Sequence, residues 1–180
     1  RLLDGAKLLA LSAMSNVVGT ITPVRQLTDA AHAAGALACI DACQYVPHVA
    51  TDVGDLGADF LAFSGHKMLG PTGVGVLWAR PDLLDAMPPF LGGGGMILDV
   101  TMDGFTPADV PHKFEAGTPP IAEIVGLGAA IDYLDSLGMD KVRDHEIALT
   151  SYAFNSLTER FGDDLTIYGP TDPAARGGVM

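Results

Sequence analysis

A lysine follows a buried apolar run in the stretch "FLAFSGHKMLGPTGVGVLW", which spans residues 60–78. The apolar residues before it predict a strand covered on both faces, and such a strand ends inside the protein. Lys67 and its neighbours Ser64 and His66 therefore lie at the carboxyl end of this strand. A single lysine in a glycine-rich loop is usually solvated, so its meaning depends on the groups beside it.

Two earlier apolar runs also end in polar residues. The first is followed by Ser15 and Asn16, and the second by the stretch "DACQ", which contains Asp41 and Gln44. A single Asp after a strand is usually a turn residue, and Asn16 on its own could simply shape the connection. In an open α/β sheet, however, ligands bind outside the carboxyl ends of the strands. Three such ends in succession predict one shared binding site.

An amine, a carboxylate and amide groups around an apolar slot match the needs of pyridoxal 5′-phosphate (PLP). Its aldehyde requires a lysine for a Schiff base. Its ring nitrogen requires a carboxylate, because a paired anion keeps that nitrogen protonated and able to absorb carbanion charge. Its phosphate requires hydroxyls, imidazole or backbone N–H groups. The residues predict a PLP site with Lys67 as the amine and Asp41 as the carboxylate.

The elements that must position these residues alternate between strand and helix. Three apolar runs predict strands, at residues 8–14, 36–40 and 59–63. Between the first two, Thr22 is the predicted N-cap of a helix, with Pro23 at its first position and Gly35 at its end. This rhythm predicts right-handed crossovers and a parallel sheet. Residues 73–79 follow too closely for a crossover helix, so they predict an antiparallel strand and a mixed sheet.

The second half of the sequence predicts a long loop followed by two helices. A short helix is predicted over residues 81–87, and residues 88–118 are rich in Gly and Pro and predict an irregular loop. A loop of this length is usually functional or covered by a partner. Two long helices are predicted over residues 122–137 and 140–161. The stretch "LTIYG" at residues 165–169 predicts the beginning of a second domain.

Composition narrows the class of protein. The 180 residues are 48% hydrophobic and carry a formal net charge of −12, which argues against nucleic acid and against a polybasic membrane anchor. No apolar run approaches the roughly 18 residues that a bilayer span needs. Cys39 and Cys43 form a poor disulfide framework, which favours a soluble protein of a reducing compartment, the cytoplasm. The histidines lack metal-ligand spacing, so no metal site is expected.

Five motifs in order carry a family resemblance. They are "SNVVGTITPV", "IDACQYVPHVATDV", "DFLAFSGHKMLGPTGVGVLW", "MPPFLGGGGMI" and "FEAGTP". Together they resemble the class V aminotransferases, which are fold-type I PLP enzymes, and within them the SufS-type cysteine desulfurases or selenocysteine lyases. The resemblance covers nearly the whole chain and implies a three-layer α/β/α fold. It further implies an internal piece of a longer protein, with residues 1–161 in the PLP-binding large domain and 162–180 beginning the small C-terminal domain.

The resemblance implies a role for each matching residue. Lys67 would hold the cofactor as a Schiff base and later move the α-proton of the substrate, and Asp41 would pair with the pyridine nitrogen. The remaining cofactor contacts implied are Gln44 and Asn16 at the 3′-oxygen and ring edge, Ser64 and His66 at the phosphate, and Thr118 at the phosphate of the neighbouring subunit. The role of Thr118 implies a homodimer.

The implied reaction removes sulfur from L-cysteine and leaves alanine and an enzyme persulfide. L-Selenocysteine, from which selenium would be removed, is a second implied substrate. The persulfide would serve a sulfur-acceptor protein of iron–sulfur cluster assembly. Alternatives remain another class V enzyme (an aminotransferase, epimerase or lyase) and an inactive fragment that keeps the fold. The ring-stacking His, the persulfide-forming Cys and the substrate-binding Arg of the family have no counterpart in the 180 residues. The chain by itself is therefore expected to be inactive, and Cys43 is interpreted as a small buried hydrophobe.

Overall fold

A four-stranded sheet forms the centre of the computed structural model, which describes residues 2–179. Its strands are β1 (Leu8–Ser12), β2 (Leu37–Asp41), β3 (Phe60–Ser64) and β4 (Gly75–Ala79). They lie side by side in chain order, with β1, β2 and β3 parallel and β4 antiparallel to β3. The predicted α/β class with a mixed, mainly parallel sheet is confirmed.

Five α-helices accompany the sheet within residues 2–179. They are α1 (Val24–Ala33), α2 (Val53–Leu56), α3 (Pro81–Ala86), α4 (Ile121–Leu137) and α5 (Met139–Phe161). One face of the sheet is buried under α1 and α2, where Ile40 and Leu61 pack with Val24 in the main core cluster. A second cluster joins Leu127 of α4 to Met68 in the loop after β3. Within residues 2–179, no helix has both the length and the apolar character to cross a membrane.

The opposite face of the sheet is only partly covered. Side chains alternate between the two faces of a strand, so Asp41 and Ser64 lie on the face opposite Ile40 and Leu61. On this face Leu8 is 51% and Leu77 64% exposed. Residues 2–179 therefore form two of the three predicted layers: the sheet, and the helices that cover one of its faces.

The start of α1 differs from the prediction by one position. Pro23 is the N-cap, the helix begins at Val24, and no side chain caps it. The Thr22 hydroxyl instead donates to the main-chain oxygen of Ser12 at 2.7 Å. The prediction of Thr22 as the N-cap was wrong, because its side chain ties the loop to the end of β1.

The glycine-rich loop at residues 88–118 is not wholly irregular. It contains an antiparallel hairpin of β5 (Ile97–Val100) and β6 (Phe105–Pro107). The turn between these strands is closed by the N–H of Thr101, which donates to the Gly104 oxygen at 2.8 Å. The hairpin was not predicted, because its strands are short and the glycines around them are typical of a loop.

Residues beyond α5 form no strand at "LTIYG". The helix ends at Phe161, the position at which a domain boundary is predicted, and the boundary itself stays a prediction. The last stretch packs back on the loop after β1. There Arg176 forms an isolated bridge with Thr20, and the Gly177 N–H donates to the Gly19 oxygen at 2.8 Å.

A fully buried carboxylate fixes the amino end of β3. Asp59 accepts hydrogen bonds from the Ala38 N–H at 2.7 Å and from Arg80 at 2.8 Å, and it contacts His32 Nε2 at 2.8 Å. Burial by itself raises the pKa of Asp59, but the bonds from His32, Ala38 and Arg80 outweigh it. The pKa therefore lies below its usual value. This network joins α1, β2 and the end of β4.

We expect Asp59→Ala to lower the free energy of unfolding by about 3 kcal/mol at neutral pH, because it breaks a buried, hydrogen-bonded charge network. Since the folded-state pKa lies below the unfolded value of about 3.9, this stabilisation is present above that pH. It is lost as the pH falls through the folded-state value. Urea unfolding of both proteins at a series of pH values measures the difference.

The matched control is Asp82→Ala, which removes the exposed partner of the same arginine, 2.6 Å away. It is expected to have little effect, because exposed ion pairs contribute little. A difference between wild type and Asp59→Ala that grows as the pH falls below about 4 would contradict the assignment.

Candidate active site

The carboxyl edge of the sheet gathers the polar residues that follow β1, β2 and β3. The register pairs Ser12 with Asp41 and Asp41 with Ala62 across the three parallel strands. Ser64 lies two residues beyond Ala62 on the same face. The Cys43 sulfur is 3.5 Å from the Ser64 hydroxyl oxygen, so the ends of β2 and β3 are in direct contact. The predicted convergence of Asp41 and Ser64 at one edge is what the register produces.

Lys67 lies in a tight turn directly after β3. A short 3₁₀ turn spans Gly65–Lys67, and the Gly65 N–H donates to the Val74 oxygen at 2.9 Å. A Cβ on Gly65 would lie 2.8 Å from Val74 Cγ1, and one on Gly70 would lie 2.9 Å from the Gly65 oxygen. Only glycine fits at these two positions without displacing the backbone, so they fix the path of the chain around Lys67. The lysine is half-buried, and within residues 2–179 its amine forms no ion pair or hydrogen bond.

Asp41 ends β2 with an exposed side chain. Its Oδ1 accepts the Cys43 N–H at 3.0 Å, which fixes the rotation of the carboxylate. Among the described residues, Oδ2 has no hydrogen-bond partner. One carboxylate oxygen therefore positions the side chain and the other is open to a cationic or protonated group.

Gln44 is half-buried and borders a cavity of about 500 Å³. This cavity lies between the turn after β2 and α5. Its other lining residues are Met14, His48, Glu146, Leu149, Thr150, Tyr152, Ala153, Gly178 and Val179. Apart from its polar end at Gln44, His48, Glu146 and Thr150, the wall is largely apolar, which is typical of a small-molecule site.

Three predicted residues are exposed and make no side-chain hydrogen bond within residues 2–179: Asn16, His66 and Thr118. Asn16 lies in the turn after β1, where the Ser15 hydroxyl accepts the N–H groups of Val17 and Val18, both at 3.2 Å. It is therefore at the carboxyl edge with Asp41. Thr118 lies in a separate segment, next to Gly117, whose N–H donates to the Gly94 oxygen at 2.8 Å. No hydrogen bond of the described chain links Thr118 to the strand ends.

Two residues next to the site were not found from the sequence. His48 Nδ1 makes a short contact with Glu146 Oε1 on α5. His48 comes four residues after Gln44, a spacing that places residues on one face of a helical turn. That spacing was the available signal for His48. Glu146 could not be found in this way, because it is distant in sequence.

The two cysteines are free thiols. Burial raises the pKa of Cys39, and the charge of the nearby Asp41 raises it further. A raised pKa disfavours the thiolate, which is the reactive form. Cys39 is therefore a poor nucleophile. Within residues 2–179, no group of three or more His, Cys, Asp or Glu side chains is arranged to hold a metal ion.

Comparison with known families and proteins identifies the family of the chain. The model of the aminotransferase class-V family matches residues 1–180, and the chain belongs to that family. It is 55% identical over 177 residues to a probable cysteine desulfurase of Streptomyces coelicolor, and the match covers 98% of this chain and 42% of that protein. It is 50% identical over 177 residues to a cysteine desulfurase of Haloferax volcanii, covering 98% of this chain and 41% of the relative.

A solved structure has the same fold. The apo structure of cysteine desulfurase from Thermococcus onnurineus NA1 matches with a TM-score of 0.93 at 40% identity, over 98% of this chain and 44% of that one. The chain thus spans about two fifths of the length of the curated relatives it matches. The activity of the whole protein is therefore a matter of proposal.

Proposed function

We propose that this chain forms the cofactor-binding part of a PLP-dependent cysteine desulfurase. The observation that carries the proposal is the convergence of Asp41, Ser64 and the turn of Lys67 at the carboxyl edge of β2 and β3. The names of the relatives support the choice of reaction. No other feature of the described residues favours a different class of enzyme.

The residues present fit PLP, the cofactor of this family. The fit rests on an amine without a partner, a carboxylate with one free oxygen and a backbone path that two glycines enforce. When bound, PLP supplies an aldehyde that condenses with amines and a ring that accepts electrons. Asp41 of β2 and Ser64 of β3 lie on one face of the sheet, so the ring nitrogen and the phosphate of one cofactor can each reach one of them.

Each side chain then has a separate task. Lys67 would hold the cofactor through its amine, and the same amine would carry the α-proton of the substrate. Asp41 keeps a proton on the ring nitrogen by charge pairing. Gln44 and Asn16 bind the 3′-oxygen and ring edge, while Ser64 and His66 bind the phosphate.

The substrate we propose is L-cysteine, with L-selenocysteine as a possible second substrate. The substrate carbon–sulfur bond breaks, and the sulfur forms a bond to a cysteine thiol of the protein. L-cysteine and the thiol thus become alanine and a persulfide, with no external oxidant or reductant. Cys39 is a poor candidate for this thiol because of its raised pKa. The persulfide would pass to a sulfur-acceptor protein of iron–sulfur cluster assembly.

We expect the full-length protein with PLP and a thiol reductant to release alanine and sulfide from L-cysteine in equal amounts. This ratio follows from the balanced reaction. Amino-acid analysis and a sulfide assay on the same sample measure it. Formation of a keto acid without alanine would instead identify an aminotransferase. Racemised cysteine would identify an epimerase.

We also propose a homodimer in which Thr118 binds the phosphate of the partner's cofactor. The exposure of Thr118 and the lack of a bond to its own strand ends support this arrangement. A fully active monomer in sedimentation experiments would contradict it.

We further propose that the protein belongs to the SufS-type subgroup, that it is located in the cytoplasm and that a small domain begins at residue 162. The free thiols of Cys39 and Cys43 suit a reducing compartment.

A further inference from the structure

A half-buried side-chain hydrogen bond joins two distant parts of the chain next to Gln44. His48 Nδ1 contacts Oε1 of Glu146 on α5, and 98 residues separate the two in sequence. Their side chains are only 33% and 18% exposed. Water therefore competes less for this hydrogen bond than for one at the surface.

The stretch that carries His48 also carries Gln44. Residues 42–49 form consecutive turns in which two backbone N–H groups donate to carbonyls four residues earlier, at 3.0 and 2.9 Å. In such turns residues four apart lie on one face. Gln44 and His48 accordingly line the same cavity, together with Glu146.

The two ends of this stretch are held by different means. At its amino end the Ala42 N–H donates to the Ala62 oxygen of β3 at 2.9 Å, and the Cys43 N–H donates to Asp41. The sheet therefore fixes the first turn. The next turn lies beyond the sheet edge. Within residues 2–179, one side-chain hydrogen bond joins it to α5, and this is the bond between His48 and Glu146.

Arg143 lies one turn before the glutamate on α5 and is bonded to the C-terminal stretch. Its Nη1 lies 4.0 Å from Glu146 Oε2, and its Nη2 donates to the main-chain oxygens of Pro173 and Ala174 at 3.3 and 3.0 Å. Arg143 is itself only 15% exposed. The carboxylate is thus bonded to His48 through Oε1, while its buried Oε2 makes no hydrogen bond within residues 2–179.

The carboxamide of Gln44 has no hydrogen-bond partner within residues 2–179. A glutamine with several rotatable bonds loses considerable entropy when it is held for a ligand, so a fixed backbone reduces what binding must supply. We propose that the His48–Glu146 pair positions Gln44 for the cofactor by fixing the second turn of residues 42–49 against α5. This inference rests on the proposed function, because it assumes that Gln44 contacts PLP.

The test is a double-mutant cycle in the full-length protein. His48→Ala is expected to weaken PLP binding about tenfold, measured as the dissociation constant from titration of the cofactor-free protein. The visible absorption of bound PLP is expected to shift as well. In a Gln44→Ala background, the same His48→Ala change is expected to alter the dissociation constant by less than about twofold, because the residue that it positions is absent.

Conservative variants separate positioning from general stability. His48→Asn keeps an N–H near the position of Nδ1 and is expected to restore binding to within about threefold of wild type. Glu146→Leu removes both carboxylate oxygens at a similar side-chain size and serves as the second entry into the cycle if His48→Ala does not fold. The matched control is His145→Ala, an exposed histidine beside Glu146 on α5, which should leave PLP binding unchanged.

Two results overturn the inference while the proposed function stands. One is wild-type affinity in His48→Ala with only a lower melting temperature. The other is an equal loss of affinity in the presence and absence of Gln44, which would mean that His48 acts through another residue. If wild-type protein does not bind PLP at all, the proposed function fails and this inference fails with it.

Discussion

Replacing Lys67 by alanine is expected to lower sulfur release from L-cysteine at least about a thousandfold in the full-length protein. Lys67 is the amine at the carboxyl edge, in a turn that Gly65 and Gly70 keep tight. In the proposed role, its loss removes both the covalent attachment of the cofactor and the group that carries the α-proton. The rate is measured as alanine formation under saturating PLP.

Borohydride reduction identifies the lysine directly. In wild-type protein, peptide mapping is expected to find the pyridoxyl group on Lys67, and the Lys67→Ala protein is expected to carry no label. Lys141→Ala is the matched control, since Lys141 is exposed on α5, and it should keep wild-type activity. A label on Lys113, whose amine already donates to the Asp85 oxygen at 3.0 Å, would refute the assignment, as would one on Lys7 or Lys141.

Asp41→Asn is expected to lower turnover about a hundredfold or more while it weakens PLP binding less than about tenfold. The asparagine keeps an oxygen that can accept the Cys43 N–H, so the turn after β2 persists. What it removes is the negative charge that, in the proposed role, keeps the ring nitrogen protonated. The contacts of Lys67 and of the phosphate-binding residues are unchanged, so the cofactor remains bound.

Parallel measurement of the PLP dissociation constant and of the turnover rate separates the two effects. Asp163→Asn, an exposed aspartate after α5, is the control for loss of one negative charge from an acidic protein. Near-normal turnover in Asp41→Asn would rule out the proposed role. A loss of PLP binding as large as the loss of turnover would show that Asp41 mainly holds the cofactor.

The candidate site could be predicted largely from local sequence. The apolar runs before Asp41 and Lys67 predict strands, and parallel strands joined by crossovers bring their carboxyl ends to one edge. The long helices were predicted to within one residue of their observed starts at Ile121 and Met139. The bounds of a strand or helix depend on the residues within that element, so they can be predicted without knowing the rest of the chain.

The resemblance to class V aminotransferases supplied what local pattern could not. Periodicity places Gln44 and Asn16 near the edge, but it does not say which atom of a cofactor each binds. Those roles stay predictions. The role of Thr118 likewise stays a prediction, because it involves the cofactor of a second subunit.

Only the tertiary structure decided how distant residues meet. The hydroxyl of Thr22 donates to Ser12 across the loop after β1, where sequence pattern predicted a helix cap. His48 meets Glu146 across 98 residues, and no local spacing encodes that contact. Hydrophobic periodicity reports which face of an element is buried. It does not report which partner covers that face, because packing depends on the shapes of elements far apart in the chain.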